Sequence, residues 1–133
     1  MILLNFAFSP DHIGVNYGER YFDLHNNFHF ARYAKQQDSA VLLLWRRATG
    51  DWVPDWLPQT FTIAIAGVTY FDVRGDPSDA LDEFGFFDNH TLGKVDYQGT
   101  TWAEDGHDLL VLRFVGGGEL ALQGKTASAS SGE

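Results

Sequence analysis

The sequence predicts a mainly β protein: an antiparallel two-sheet sandwich or partly closed barrel with one short helix near 77–84. Three observations carry this. The run Ala40-Val41-Leu42-Leu43-Leu44-Trp45 is apolar, short and bounded by polar residues, which suits a buried strand better than a helix. Phe61, Ile63 and Ile65 alternate with Thr62, Ala64 and Ala66, the period-2 pattern of a strand with two different faces. Asn26-Asn27 and Gly116-Gly117-Gly118 sit between strand-like runs, where residues tolerant of positive φ make hairpin turns.

Taken in order, Tyr21 to His25 and Phe28 to Tyr33 read as a β-hairpin about Asn26-Asn27, extended into a meander by Ala40 to Trp45. Thr49 to Pro58 holds two prolines, each of which removes a ladder donor and restricts the residue before it, so this segment is an extended loop or an edge. Gly67 interrupts the next run as a bulge or bend before Val68 to Val73. Asp76 as N-cap, Pro77 at the first helical position and the carboxylates that follow predict the short helix, which Gly85 would stop. His90 to Gln98 carries a weak strand signal. Leu109 to Val115 and Glu119 to Gln123 form a second hairpin, with Glu119, Ala121 and Gln123 on a wet face and Leu120 and Leu122 on a buried one.

With 133 residues, one core is expected: residues 1–123 as a single β-rich domain and 124–133 as a polar, flexible tail, because small polar residues bury too little to offset their ordering entropy. A short further strand over Lys125 to Ala129 is the alternative for that segment. Cysteine is absent, which excludes disulfides, thiol nucleophiles and Cys-ligated metals and fits a reducing cytoplasm. The apolar opening lacks a basic n-region and no run reaches transmembrane length, so neither export nor membrane spanning is expected.

The net charge is −9, and residues 72–108 hold ten acidic side chains against Arg74 and Lys94, a local net of −8. Nucleic acid is disfavoured as a partner, since a polyanion needs clustered Lys and Arg. Solubility accounts for the acidity on its own; a cationic partner is the sharper reading.

No catalytic pattern emerges. His25 and His29 are spaced for one helix face, but the intervening asparagines indicate a turn. His107-Asp108 is a bare dipeptide without further ligands at set distances. No serine sits in a nucleophile elbow, and the glycine triplet lacks the Lys and helix of a phosphate loop. Asp76, Asp79, Asp82 and Glu83 offer oxygen ligands without the order of a calcium loop. Neither a metal nor a cofactor is expected.

The remaining feature is aromatic. Trp52 and Trp56 lie in the Pro-interrupted loop, with Arg46 and Arg47 just before it, and Trp102 lies in the acidic stretch. Loop indoles commonly fold back as lids on the core. Exposed, they are the residue type that dominates protein interfaces. The candidate binding residues are Trp52, Trp56, Trp102, Arg46, Arg47, Asp79, Asp82 and Glu83, and the leading reading is a non-enzymatic domain engaging a basic protein partner, such as an immunity-type inhibitor of a toxin. A carbohydrate or small-ligand binding sandwich, with an indole stacked on a sugar ring, is the first alternative; a small hydrolase using Asp/Glu and His is the second. An exposed edge beside the Pro-rich loop would also allow pairing with a second copy, so a homodimer is compatible with the sequence.

Overall fold

Side-chain alternation builds the main sheet. Val41, Leu43 and Trp45 on one strand and Phe61, Ile63 and Ile65 on the next are all buried, while Leu42, Leu44, Thr62 and Ala64 between them face the other way and are only partly covered. The structure, a computed structural model, describes residues 1–37, 39–77, 80–87 and 109–132. Among them the strands are β1 (Ile2–Leu3), β2 (Phe6–Phe8), β3 (Gly14–Tyr17), β4 (Arg20–Asp23), β5 (Phe28–Gln36), β6 (Ala40–Arg47), β7 (Thr60–Ala66), β8 (Tyr70–Arg74), β9 (Leu81–Phe87), β10 (Leu109–Phe114), β11 (Glu119–Gln123) and β12 (Thr126–Gly132). They form a five-stranded sheet in the order β1-β12-β7-β6-β5, a four-stranded sheet β8-β11-β10-β9 and a three-stranded sheet β2-β3-β4. None of the three closes on itself. No helix among the described residues is long and apolar enough to cross a membrane.

Aromatic rings tie the sheets together. Phe30 meets Phe114 at 5.1 Å and Trp45 meets Phe84 at 6.1 Å, joining the five- and four-stranded sheets. Phe22 meets Phe61 at 5.4 Å and Phe8 meets Phe84 at 5.2 Å, seating the three-stranded sheet against both. Buried residues of all three sheets belong to one hydrophobic cluster. At one side the β5 bulge at Ala31 turns the strand so that Tyr33 and Lys35 lie over Phe71 of β8.

The meander β5-β6-β7, the loop at 48–59 and the hairpin β10-β11 agree with the sequence expectations in their pairing, but Ala121, expected on the wet face of β11, is buried along with Leu120 and Leu122. Gly67 ends β7 with φ 67°. Three features of the chain path differ. First, β4 and β5 are not a hairpin: β4 pairs with β3 and β5 with β6. The Asp23 carboxylate accepts the backbone N–H groups of His25 and Asn26 and the Asn26 side-chain amide, and the Asp23 carbonyl accepts from Asn27. This wider turn carries the chain from one sheet to another, where a two-residue turn would have folded it back.

Second, the expected helix near 77–84 is not seen; from Leu81 the chain is strand β9. Leu81 and Phe84 are both buried, three residues apart as on a helix face, but a bulge at Asp82 supplies the extra residue: Phe114 pairs with Leu81 and Arg113 with Glu83. Third, residues 124–133, expected as a flexible tail, contain β12, which lies inside the five-stranded sheet with β7 on one side and β1 on the other. Ala127 and Ala129 are small enough to fill the core face against β7, and the backbone ladder supplies what side-chain burial does not. Asn5 clamps the strand from the far end of the sequence, donating to the Ala129 carbonyl at 2.8 Å and accepting its N–H at 2.7 Å. The weak strand signal at 90–98 falls outside the described residues.

Candidate functional site

The loop between β6 and β7 repeats a short pattern, Trp52-Val53-Pro54 and Trp56-Leu57-Pro58. In each copy the aliphatic residue turns in: Val53 is 8% and Leu57 3% exposed. The tryptophans then turn out, with 64% of Trp52 and 49% of Trp56 exposed. The prolines limit the backbone freedom of the loop, and Arg47 pins it, its guanidinium donating to the carbonyls of Leu57 at 2.8 Å and Asp55 at 3.4 Å. The loop is therefore ordered at its base while its indoles face solvent.

Each indole has its own seat. Trp52 lies flat over Gly50, where a Cβ would collide with its six-membered ring, and its Nε1 donates to the Asn26 carbonyl at 3.1 Å. Trp56 rests against Phe22 at 6.0 Å, and the Arg20 guanidinium carbon sits 4.6 Å from its ring centroid, a cation–π contact. Phe22 continues inward to Tyr17, Phe28 and Phe61. Trp56 is thus the outer member of an aromatic chain rooted in the core. Beside it opens a shallow cleft of about 470 Å³ lined by Tyr17, Glu19, Arg20, Trp56, Pro58 and Ser131.

The three-stranded sheet that presents Arg20 and Phe22 has a lock of its own. The Tyr21 ring lies over Gly14, and its hydroxyl donates to Asp11 Oδ2 at 2.5 Å, while the Ile13 N–H donates to Asp11 Oδ1 at 3.0 Å. Burial alone would raise the Asp11 carboxyl; hydrogen bonds from the Tyr21 hydroxyl, the Ile13 N–H, the Ser9 hydroxyl and the Gly14 N–H outweigh it and hold the group below its ordinary 3.8. Tyr21 is pushed well above its ordinary 10.0 by burial, by its bond to Asp11 and by the charges of Asp11 and Asp23. The Tyr21 contribution to stability is present below pH 10.0 and lost as the pH rises above it; the Asp11 contribution is present above pH 3.8 and fades as the pH falls through the lower folded value. In an alkaline spectrophotometric titration Tyr21 is expected to ionise above its ordinary 10.0, and Asp11→Asn to bring that step back toward 10.0. Superimposable titrations of the two proteins would contradict the lock.

The other expected site residues lie elsewhere. Arg46 is exposed on β6, on the face that alternation turns away from the buried Trp45, and the cation over an indole is Arg20. Arg47 supports the loop from below. Glu83 pairs with Arg113 at 3.0 Å, and Arg113 with Glu119 at 3.4 Å, so Glu83 is one rung of a cross-strand charge ladder on the four-stranded sheet. Asp82 is exposed at the β9 bulge. Trp102 and Asp79 fall outside the described residues. Among the described residues no three His, Asp or Glu side chains gather as a metal site would require; the His25 ring is engaged through Nδ1 with the Leu81 carbonyl at 2.5 Å.

Tyr17, Arg20 and Phe22 were absent from the sequence expectation. Their link to Trp56 depends on packing the three-stranded sheet against the loop, across more than 30 positions of sequence, and no local pattern encodes it. No family model matches the chain, and neither a curated protein nor a solved structure does.

Proposed function

We propose that this chain is a non-enzymatic binding domain that engages a basic protein through the Trp52–Trp56 loop. The observation that carries the reading is that both indoles are exposed on a loop whose base is buried and hydrogen-bonded. Such indoles pay little ordering entropy on contact, which is what makes an aromatic anchor effective. The rim carries three exposed carboxylates, Glu19, Asp51 and Asp55, against the exposed Arg20 beside Trp56, whereas Arg47 is engaged with backbone carbonyls. With a net charge of −9, long-range attraction favours a cationic partner. An inhibitor of a basic toxin is the partner relation that size and acidity fit best. The five- and four-stranded sheets about one cluster read as a sandwich, with the three-stranded sheet at the end that carries the site.

The test is affinity capture of partners from native cells at low and then raised salt, with the intact chain and a Trp52→Ala, Trp56→Ala double variant. A basic protein held at low salt, released by salt and lost from the variant is the expected result. Loss of one hot-spot indole weakens binding by about 2 kcal/mol, roughly 30-fold. A partner retained equally by the variant, or no specific protein, would overturn the reading.

A second reading, a carbohydrate or small-ligand site, has one observation in its favour: the cleft beside Trp56 has the volume of a ligand pocket, about 300–1,000 Å³. Saturable quenching of tryptophan fluorescence by a sugar panel, absent in Trp56→Ala, would support it.

A further inference from the structure

We propose that the cleft beside Trp56 is a receptor for a guanidinium side chain of the partner, and that Arg20 occupies it in the free chain as a displaceable stand-in. This rests on the protein-binding reading above and specifies the chemistry of its anchor.

Three features support it. The cleft is electron-rich: the Tyr17 and Phe22 rings lie 5.9 Å apart, the Trp56 ring 6.0 Å from Phe22, and Glu19 lines the opening. Aromatic faces with an acidic group beside them attract cations, and a planar guanidinium can stack on an indole as well. Arg20 already demonstrates the fit, with its guanidinium carbon 4.6 Å from the Trp56 centroid. It is loosely held: the side chain is exposed, it follows directly on the Gly18-Glu19 turn, and among the described residues it makes no salt bridge. Rotation about its own side-chain bonds would vacate the ring without disturbing β4.

The incoming group inherits better surroundings than Arg20 has alone. Docking of a partner excludes water from an indole now 49% exposed, and a cation–π contact strengthens as it is desolvated. Charge complementarity runs the same way, from a chain of net −9 toward an arginine-bearing surface.

The experiment titrates the full chain with a hexa-arginine peptide at physiological salt by isothermal titration calorimetry, a readout that does not need the Trp56 indole itself, for the parent, Arg20→Gln, Arg32→Gln, Trp56→Ala and Trp56→Phe. Arg32 lies on the face of the five-stranded sheet turned away from the core and controls for the loss of one positive charge. Arg20→Gln is expected to tighten binding by about two- to fivefold by removing the competitor, and Arg32→Gln by less. Trp56→Ala is expected to abolish the response, while Trp56→Phe, which keeps a π face, retains binding within a few-fold. Equal changes in affinity in the two arginine variants would reduce the effect to net charge and overturn the proposal, as would a Trp56→Ala titration matching the parent's. A protein partner captured through the loop together with an indifferent Arg20→Gln would remove this inference and leave the binding reading standing; absence of any partner would remove that reading instead.

Discussion

A chain ended after Lys125 will not hold this fold. The deletion removes β12 from within the five-stranded sheet, where seven residues pair with β7 on one side and Thr126 and Ala127 pair with Ile2 and Leu3 on the other. It uncovers Ile63 and Ile65, now 0% and 1% exposed, and releases Asn5, whose side chain is bonded to both backbone groups of Ala129. A ladder hydrogen bond contributes about 0.5–1.5 kcal/mol net. Losing the strand therefore removes on the order of 5–10 kcal/mol, comparable to the ~5–15 kcal/mol by which whole domains are stable. Thermal unfolding followed by near-ultraviolet circular dichroism is expected to show a cooperative transition for the full chain and none for the truncated one. An unchanged midpoint would make the segment dispensable, as its composition alone suggests.

That contrast shows which parts of the molecule a sequence exposes. The β5-β6-β7 meander was legible because its neighbours in space are neighbours in sequence and its alternation is strong. The Trp52–Trp56 loop was legible because proline forbids a central strand, and its solvent-facing indoles follow from the burial of Val53 and Leu57. β12 was legible only as a short alternative strand over Lys125 to Ala129, because Ser and Ala carry little hydrophobic signal and its partners lie more than 50 positions away. Asp76-Pro77 and the carboxylates after them misled because they resemble a helix start, whereas from Leu81 the chain is strand β9, bulged at Asp82 and paired with β10. Asn26-Asn27 misled in the opposite direction: turn chemistry was read correctly, but Asp23 enlarges the turn and sends the chain to another sheet. At the candidate site the loop indoles were visible and the cation beside Trp56 was not. Arg46 and Arg47 are close to the loop in sequence, whereas Arg20 reaches Trp56 through the packing of a different sheet.

Phe61→Ala is expected to be the most damaging single substitution, costing about 3–5 kcal/mol in urea denaturation. Phe61 is 0% exposed on the interior strand β7 and touches the rings of Tyr17 at 5.6 Å, Phe22 at 5.4 Å and Trp45 at 6.3 Å. A methyl in its place leaves a cavity between two sheets that cannot collapse without moving the three-stranded one. Trp45, whose indole N–H is buried without a hydrogen-bond partner among the described residues, loses a packed ring neighbour in the process. The same substitution reaches the surface: Phe22, freed from Phe61, is the ring against which Trp56 rests. Phe61→Leu, costing about 1–2 kcal/mol, keeps enough volume to fold and separates the two effects. In that variant the indole N–H resonance of Trp56 is expected to move while that of Trp52, seated on Gly50 and bonded to Asn26, stays in place. A loss below about 1 kcal/mol for Phe61→Ala would contradict the close packing at the junction of the sheets. An unmoved Trp56 resonance in Phe61→Leu would mean that the loop alone, and not the aromatic chain beneath it, sets the position of the exposed indole.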